Sequence, residues 1–199
     1  ASNVTGHLNP IHRLAEKAHA AGARILVDAA QLAPHRAIDM RADDDPGHLD
    51  FVALSAHKMY APFGTGALVG PISIFGDGTP DVVGGGTVDL VTVDDVRWAG
   101  PPDRDEAGSP NVVGAVALAQ AILSLQAVGM DALARHEAEL TAHALRGLAG
   151  IEGLQAAPGV YFANAMLAPG LTMRVENDQR HTAQITTVPA GLHDKIKIV

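Results

Sequence analysis

The sequence has no cysteine in 199 residues, which removes disulfides, thiolate metal centres and a cysteine nucleophile from this chain. It is also short of positive charge, with 14 Lys and Arg against 22 Asp and Glu and a formal charge of −8. A surface for nucleic acid or anionic membrane needs clustered basic residues, so both classes of partner are excluded. Any anion must be held locally. No run of about 18 apolar residues exists to span a membrane, and the first residues lack the basic-then-apolar order of a secretory leader. A cytoplasmic protein is the expectation. Internal repeats and low-complexity tracts are lacking as well.

What is present is apolar enough to build a core: 47% of the residues are hydrophobic. The length suits one domain, or one domain and a piece of another. Residues 9–22 read as a helix, with Asn9 as cap, Pro10 in the first turn, Ile11, Leu14, Ala15 and Ala18 on one face, and Gly22 as the stop. Residues 24–28 and 50–55 read as buried parallel strands, and residues 66–70 as a third strand. Residues 75–110 are rich in Gly, Pro and Asp and read as a long connection. Two helices follow, over about 110–128 and 130–148, with Asn111 or Ser109 at the first start and Gly129 between them. In the tail, "LTMRV" and "AQITTV" suggest a hairpin. Helices alternating with strands whose carboxyl ends carry polar residues are the pattern of an α/β sheet.

Lysine is used only four times, at positions 17, 58, 195 and 197, and Lys58 alone stands at a strand end beside glycines. Partial desolvation at a core edge favours the free amine, the form that condenses with a carbonyl compound. Taken alone, a lysine snorkelling from a strand end is the simpler reading. Its neighbours change the balance. Ser55 and His57 offer a hydroxyl and an imidazole to an anion such as a phosphate, beside free backbone N–H groups. Asp28, at the end of the preceding strand, would want a cationic partner. A protonated pyridine nitrogen is one, and a lysine imine with a pyridinium-facing acid is what pyridoxal phosphate chemistry requires. Gln31 could then reach the phenolic oxygen, and Ala30 is small enough to lie against a ring.

The segments "SNVTGHLNP", "ILVDAAQLAPH", "FVALSAHKMYAPFGTGALVG", "GGG" and "DEAGSPNVVG" together resemble the class V aminotransferase family, which includes cysteine desulfurases and selenocysteine lyases. The resemblance runs over about residues 1–157. It implies a fold type I architecture: residues 1–128 as the C-terminal part of the large cofactor-binding domain, a mainly parallel sheet flanked by helices, and residues 129–199 as a linking helix with a partial or divergent small α+β domain. It implies pyridoxal 5'-phosphate as cofactor, an amino acid as substrate and Lys58 as the Schiff-base lysine. Asp28 would pair with the pyridine nitrogen, Gln31 with the phenolic oxygen, Ala30 with a ring face, and Ser55 and His57 with the phosphate. Asn3 resembles the family's asparagine near the phenolic oxygen and substrate carboxylate. Ser109 matches the position that reaches the phosphate in a neighbouring subunit, which implies a homodimer with a shared site.

The departures matter too. Members of that family are about twice this length, and the segment with the other phosphate-binding loop and the residue on the second ring face has no counterpart here. From about Gly159 the tail departs from the pattern, and Arg174 takes no assigned role. Persulfide chemistry on this chain is excluded by the lack of cysteine. A second reading is therefore a catalytically silent fragment or association module of the family. A metal-dependent hydrolase is a distant third. His7, His12 and His19 lie near one another in sequence, but no carboxylate joins them at ligand spacing, and they read as exposed polar helix residues, with no metal expected.

Overall fold

In the computed structural model, residues 1–3 and 6–149 are described in full, and strands 154–156, 165–167, 173–174 and 184–185 by their backbone. The chain forms two compact units: Ala1 with Asn9–Ala134, and Ser2–Leu8 with Arg135–Val199.

The first unit opens with helix α1 (Ile11–Ala20). Pro10, not Asn9, is its cap, and no side chain caps it. Gly22, at φ +70°, ends it as expected, its amide and that of Ala23 returning to His19 O and Ala18 O. Strand β1 (Leu26–Asp28) pairs in parallel with β2 (Phe51–Ser55). Strand β3 (Gly66–Val69) returns antiparallel to β2. Its antiparallel sense follows from the connection, because residues 56–65 are too few for a crossover. Val52 is 3% exposed and buries against Ala15, Ala29 and Leu49. Leu54, two residues on and therefore on the same face, packs with Leu118 and Leu125 of α3 (Val112–Val128). Helices α1 and α3 thus cover one face of the sheet, while the opposite face presents Leu26, Asp28, Ala53 and Ser55.

That arrangement corrects the expectation of a buried strand over residues 24–28. Leu26 is 59% exposed because, among the described residues, β1 pairs only with β2 and points Leu26 away from α1 and α3. Leu14 is likewise exposed on α1, not on its buried face. His12 and His19 take the inward positions instead, donating from Nδ1 to Gly47 O at 2.8 Å and Pro46 O at 2.7 Å. The reading of these two as solvated polar residues is therefore wrong. Asp50, just before β2, accepts from His19 Nε2 at 2.9 Å and from the Ile25 amide at 2.8 Å. Burial pushes against its charge, yet these hydrogen bonds leave Asp50 below the ordinary carboxylate range. The same bond to Asp50, with the one to Pro46, raises His19.

After α2 (Ile72–Phe75), the 75–110 stretch holds more structure than its composition suggested: a hairpin of β4 (Val88–Val91) and β5 (Val96–Trp98), and a short 3-10 turn, Asp103–Asp105. Arg104 is buried, its guanidinium donating to the carbonyls of Gly76, Asp77 and Gly78. Helix α3 starts two residues later than expected, capped by Asn111 and closed by Gly129 at φ +88°. Helix α4 (Met130–Ala149) follows. In the second unit, β6 (Leu154–Ala156) pairs with β7 (Ala165–Leu167), which the sequence did not suggest. Strand β8 (Met173–Arg174) pairs with β9 (Gln184–Ile185), the hairpin that it did.

A glycine marks the tightest packing of α3. A Cβ at Gly114 would run into Thr65 Oγ1 and the Asn111 side chain, whereas one at Gly147 of α4 meets nothing within 4 Å. Gly114→Ala is expected to lower the unfolding free energy by about 1–3 kcal/mol. Gly147→Ala leaves it unchanged or raises it by up to about 1 kcal/mol. Urea unfolding of the two variants measures the contrast.

Candidate functional site

Lys58 lies in a single 3-10 turn, Ala56–Met59, directly after the carboxyl end of β2. Ala56 and Met59 are 0% and 6% exposed and anchor the turn from below, so that His57 is exposed and Lys58 half-buried between them. The turn closes on Tyr60, a non-glycine residue at φ 66°. Ala61 N donates to Ala56 O at 3.1 Å and Ala56 N to Thr65 O at 3.0 Å, which fixes both ends of the 60–65 loop. Lys58 is thus held by backbone bonds and two buried neighbours.

Asp28 reaches the same end of the sheet from β1. Asp28 is in register with Ala53, and Ser55 lies two residues beyond Ala53 on that face. The Asp28 carboxylate accepts the Ala30 amide at 2.9 Å through Oδ1. This local turn orients the group and leaves its other oxygen for a ligand. Ala29 N continues the parallel pairing to Ala53 O at 3.0 Å, and Ala30 and Gln31 follow half-buried in the turn after β1. Ser55 Oγ and His57 Nδ1 are hydrogen-bonded at 3.0 Å, and the His57 ring stacks on Phe63 at 4.8 Å between centroids. A carboxylate, a hydroxyl paired to an imidazole, and an amine therefore share the carboxyl ends of two adjacent parallel strands, where sites collect in such sheets.

Ser109 is exposed in the bend before α3, and its position is set by two ties. Gly108 N donates to Gly85 O at 2.8 Å, joining "EAGSPN" to the "GGG" turn. That turn is held by buried Thr87, whose Oγ1 donates to Gly84 O at 2.8 Å. Asn111 supplies the second tie, donating from Nδ2 to Gly64 O at 3.2 Å and Thr65 Oγ1 at 2.8 Å. Its Oδ1 accepts the Gly114 amide at 3.0 Å as the helix cap. The cap was readable from "SPN" before an apolar run; the reach to the loop after Lys58 was not, since nothing local encodes it. Asn3 falls in the other unit, exposed in a turn. Arg174 lies outside the residues whose side chains are described. A cavity of about 300 Å³ lined by Ile38, Leu54, Met59, Ile122 and Leu125 opens on the helix-covered face, away from Asp28 and Ser55.

Comparison with known proteins identifies relatives of the chain. A family model for class-V aminotransferases matches residues 1–188. The match runs past residue 157, whereas the alignments to curated relatives extend over 143 to 156 residues. A probable cysteine desulfurase of Halobacterium salinarum is 43% identical over 143 residues, covering 72% of this chain and 34% of its own length. The solved cysteine desulfurase CsdA of Escherichia coli superposes with a TM-score of 0.69 at 32% identity, covering 80% of this chain and 40% of that one. An apo cysteine desulfurase of Thermococcus onnurineus NA1 gives 0.68 at 34% identity, covering 75% and 36%. The chain spans about a third of the length of the curated relatives it matches.

The double role of Asn111 separates by substitution. Asn111→Ala loses both the cap and the loop tie and is expected to cost about 1–2 kcal/mol in urea unfolding. Asn111→Asp keeps an acceptor for Gly114 N while losing the donor, and costs less.

Proposed function

The chain belongs to the class V aminotransferase family, and from that membership we propose that it carries the lysine-bearing part of a pyridoxal 5'-phosphate-dependent enzyme acting on an amino acid. The observation that supports this most is the donor set on one sheet face: the oriented Asp28 carboxylate and the Ser55–His57 pair beside Lys58. It fits the three polar parts of that cofactor. Asp28 would hold the pyridine nitrogen protonated, with Gln31 beside the phenolic oxygen and Ala30 against the ring. Ser55 and His57 would bind the phosphate. Lys58 would hold the cofactor covalently and move the proton at the substrate Cα, and Asn3 would orient the substrate carboxylate. The cofactor supplies a ring that takes up the charge left when a bond at that carbon breaks.

Transamination, elimination and epimerisation all lie open to this set, since the bond broken depends on substrate orientation. A persulfide-forming desulfurase would need a thiol from outside these 199 residues, which contain no cysteine. The functional form proposed is a homodimer, with Ser109 reaching the phosphate in the neighbouring subunit. Exposed apolar surface around the site supports it: Tyr60 is 74%, Phe63 82% and Val113 79% exposed. The same surface, with the open edge of β1, favours the second reading of an association module that binds without turnover. No single helix among the described residues is long and apolar enough to cross a membrane.

Borohydride reduction after addition of pyridoxal phosphate to the purified chain, followed by peptide mass analysis, tests the assignment. The expected result is a pyridoxyl group on Lys58 that disappears in Lys58→Ala. Ser55→Ala should weaken cofactor binding roughly 10- to 100-fold, the effect of losing a hydrogen bond to a charged group. A label on another lysine sinks the role of Lys58. Label on Lys58 without turnover of any amino acid favours the association module.

A further inference from the structure

At the other end of β2 from Lys58, three side chains converge that the proposed reaction does not use. His19 comes from the last turn of α1, His48 from the loop before β2, and Asp50 from the position directly before β2. His19 Nε2 lies 2.9 Å from Asp50 Oδ2 and His48 Nε2 3.7 Å from Asp50 Oδ1. The three ligand atoms all fall within 4.8 Å of one another. We propose that His19, His48 and Asp50 form a binding site for a borderline divalent transition-metal ion of the zinc class.

The geometry around the histidines carries this furthest. Each Nδ1 faces a backbone carbonyl, Pro46 O at 2.7 Å for His19 and Asp45 O at 2.7 Å for His48. A carbonyl only accepts, so both Nδ1 atoms carry the proton and both Nε2 atoms are turned to Asp50. Metal-binding imidazoles are oriented by this kind of backbone contact. The two rings lie side by side, stacked at 4.2 Å and 18°. Side-chain exposures of 18%, 20% and 10% for His19, His48 and Asp50 leave the set partly desolvated yet open to solvent.

Two imidazole nitrogens and one carboxylate oxygen, with a fourth position for water, suit zinc and its neighbours, whereas calcium and magnesium prefer oxygen donors. The nearby Asp45 carboxylate is already used by Gly47 N at 2.7 Å and Arg41 Nη1 at 3.2 Å, so it does not complete an oxygen cage. Without metal, the proton on His19 Nε2 occupies the cation's place beside Asp50. Binding therefore releases that proton as the metal–nitrogen bond forms. The ion would clamp α1, the 45–48 loop and β2 together. The five residues of β2, at about 3.3 Å each, put it roughly 16 Å from the lysine turn.

The test uses the full chain stripped with a chelator. Zinc alone, titrated calorimetrically, is expected to bind one equivalent with proton release and to raise the thermal midpoint, and cobalt to give the intense visible bands of a tetrahedral site. His48→Ala retains the His19–Asp50 pair, so the fold persists while zinc affinity falls more than about tenfold. His143→Ala, on the exposed side of α4, leaves binding unchanged. Absence of saturable binding, or binding that survives both His19→Ala and His48→Ala, overturns the site. Neither result bears on the label at Lys58, so this inference and the proposed activity fail separately.

Discussion

The parallel pairing of β1 with β2 is the constraint on which the candidate site rests. Three register pairs, Leu26 with Phe51, Val27 with Val52 and Asp28 with Ala53, are continued by Ala29 N to Ala53 O. Because side chains alternate, this register alone decides that Asp28 and Ser55 share a face. A slip of one residue would send Asp28 toward α1 and bury a carboxylate without its partners. The pairing is fixed at its start by the same means, since Phe51 N donates to Ile25 O while the Ile25 amide donates to Asp50. Packing adds the second determinant: Val27 and Val52 both face the Ala15 side of α1, so only one register buries them.

Much of this was legible in the sequence, and for local reasons. The apolar runs ending in Asp28 and Ser55 marked strands with polar carboxyl ends, Gly22 and Gly129 marked helix stops, and Lys58 stood out by its scarcity and surroundings. What was not legible depends on partners remote in sequence. Leu26 read as buried because composition cannot reveal that, among the described residues, β1 has a strand neighbour on one side only. His12 and His19 read as solvated because their acceptors, Gly47 O and Pro46 O, lie 35 and 27 residues away. The β4–β5 hairpin hid within a stretch rich in Gly, Pro and Asp, where a bulge between Val88 and Leu90 breaks the alternation that would mark a strand. Arg104 is the extreme case, a buried charge explained only by three carbonyls from a turn 26 to 28 residues earlier.

Strand β2 divides its side chains between two faces by the parity of its positions. Val52 and Leu54 fall on the side of α1 and α3, and Ala53 and Ser55 on the opposite side; Asp50 lies directly before the strand and meets His19 of α1. The residue before the strand thus gives a carboxylate to α1, and the strand's end gives a hydroxyl to the opposite face. A polar group at the start of a strand has to be paired where the layer above covers it, and the histidines of α1 and the 45–48 loop do so. A polar group at the end faces the side that neither α1 nor α3 covers, where solvent or a ligand can satisfy it. The difference in burial follows from the sheet: Asp50 is 8% exposed, while Ser55 and Lys58 remain half-buried. The helix-covered end therefore resists change, and reactive groups belong at the open one. A rigid β2, pinned at Asp50, is what keeps the turn bearing Lys58 in a fixed relation to Asp28.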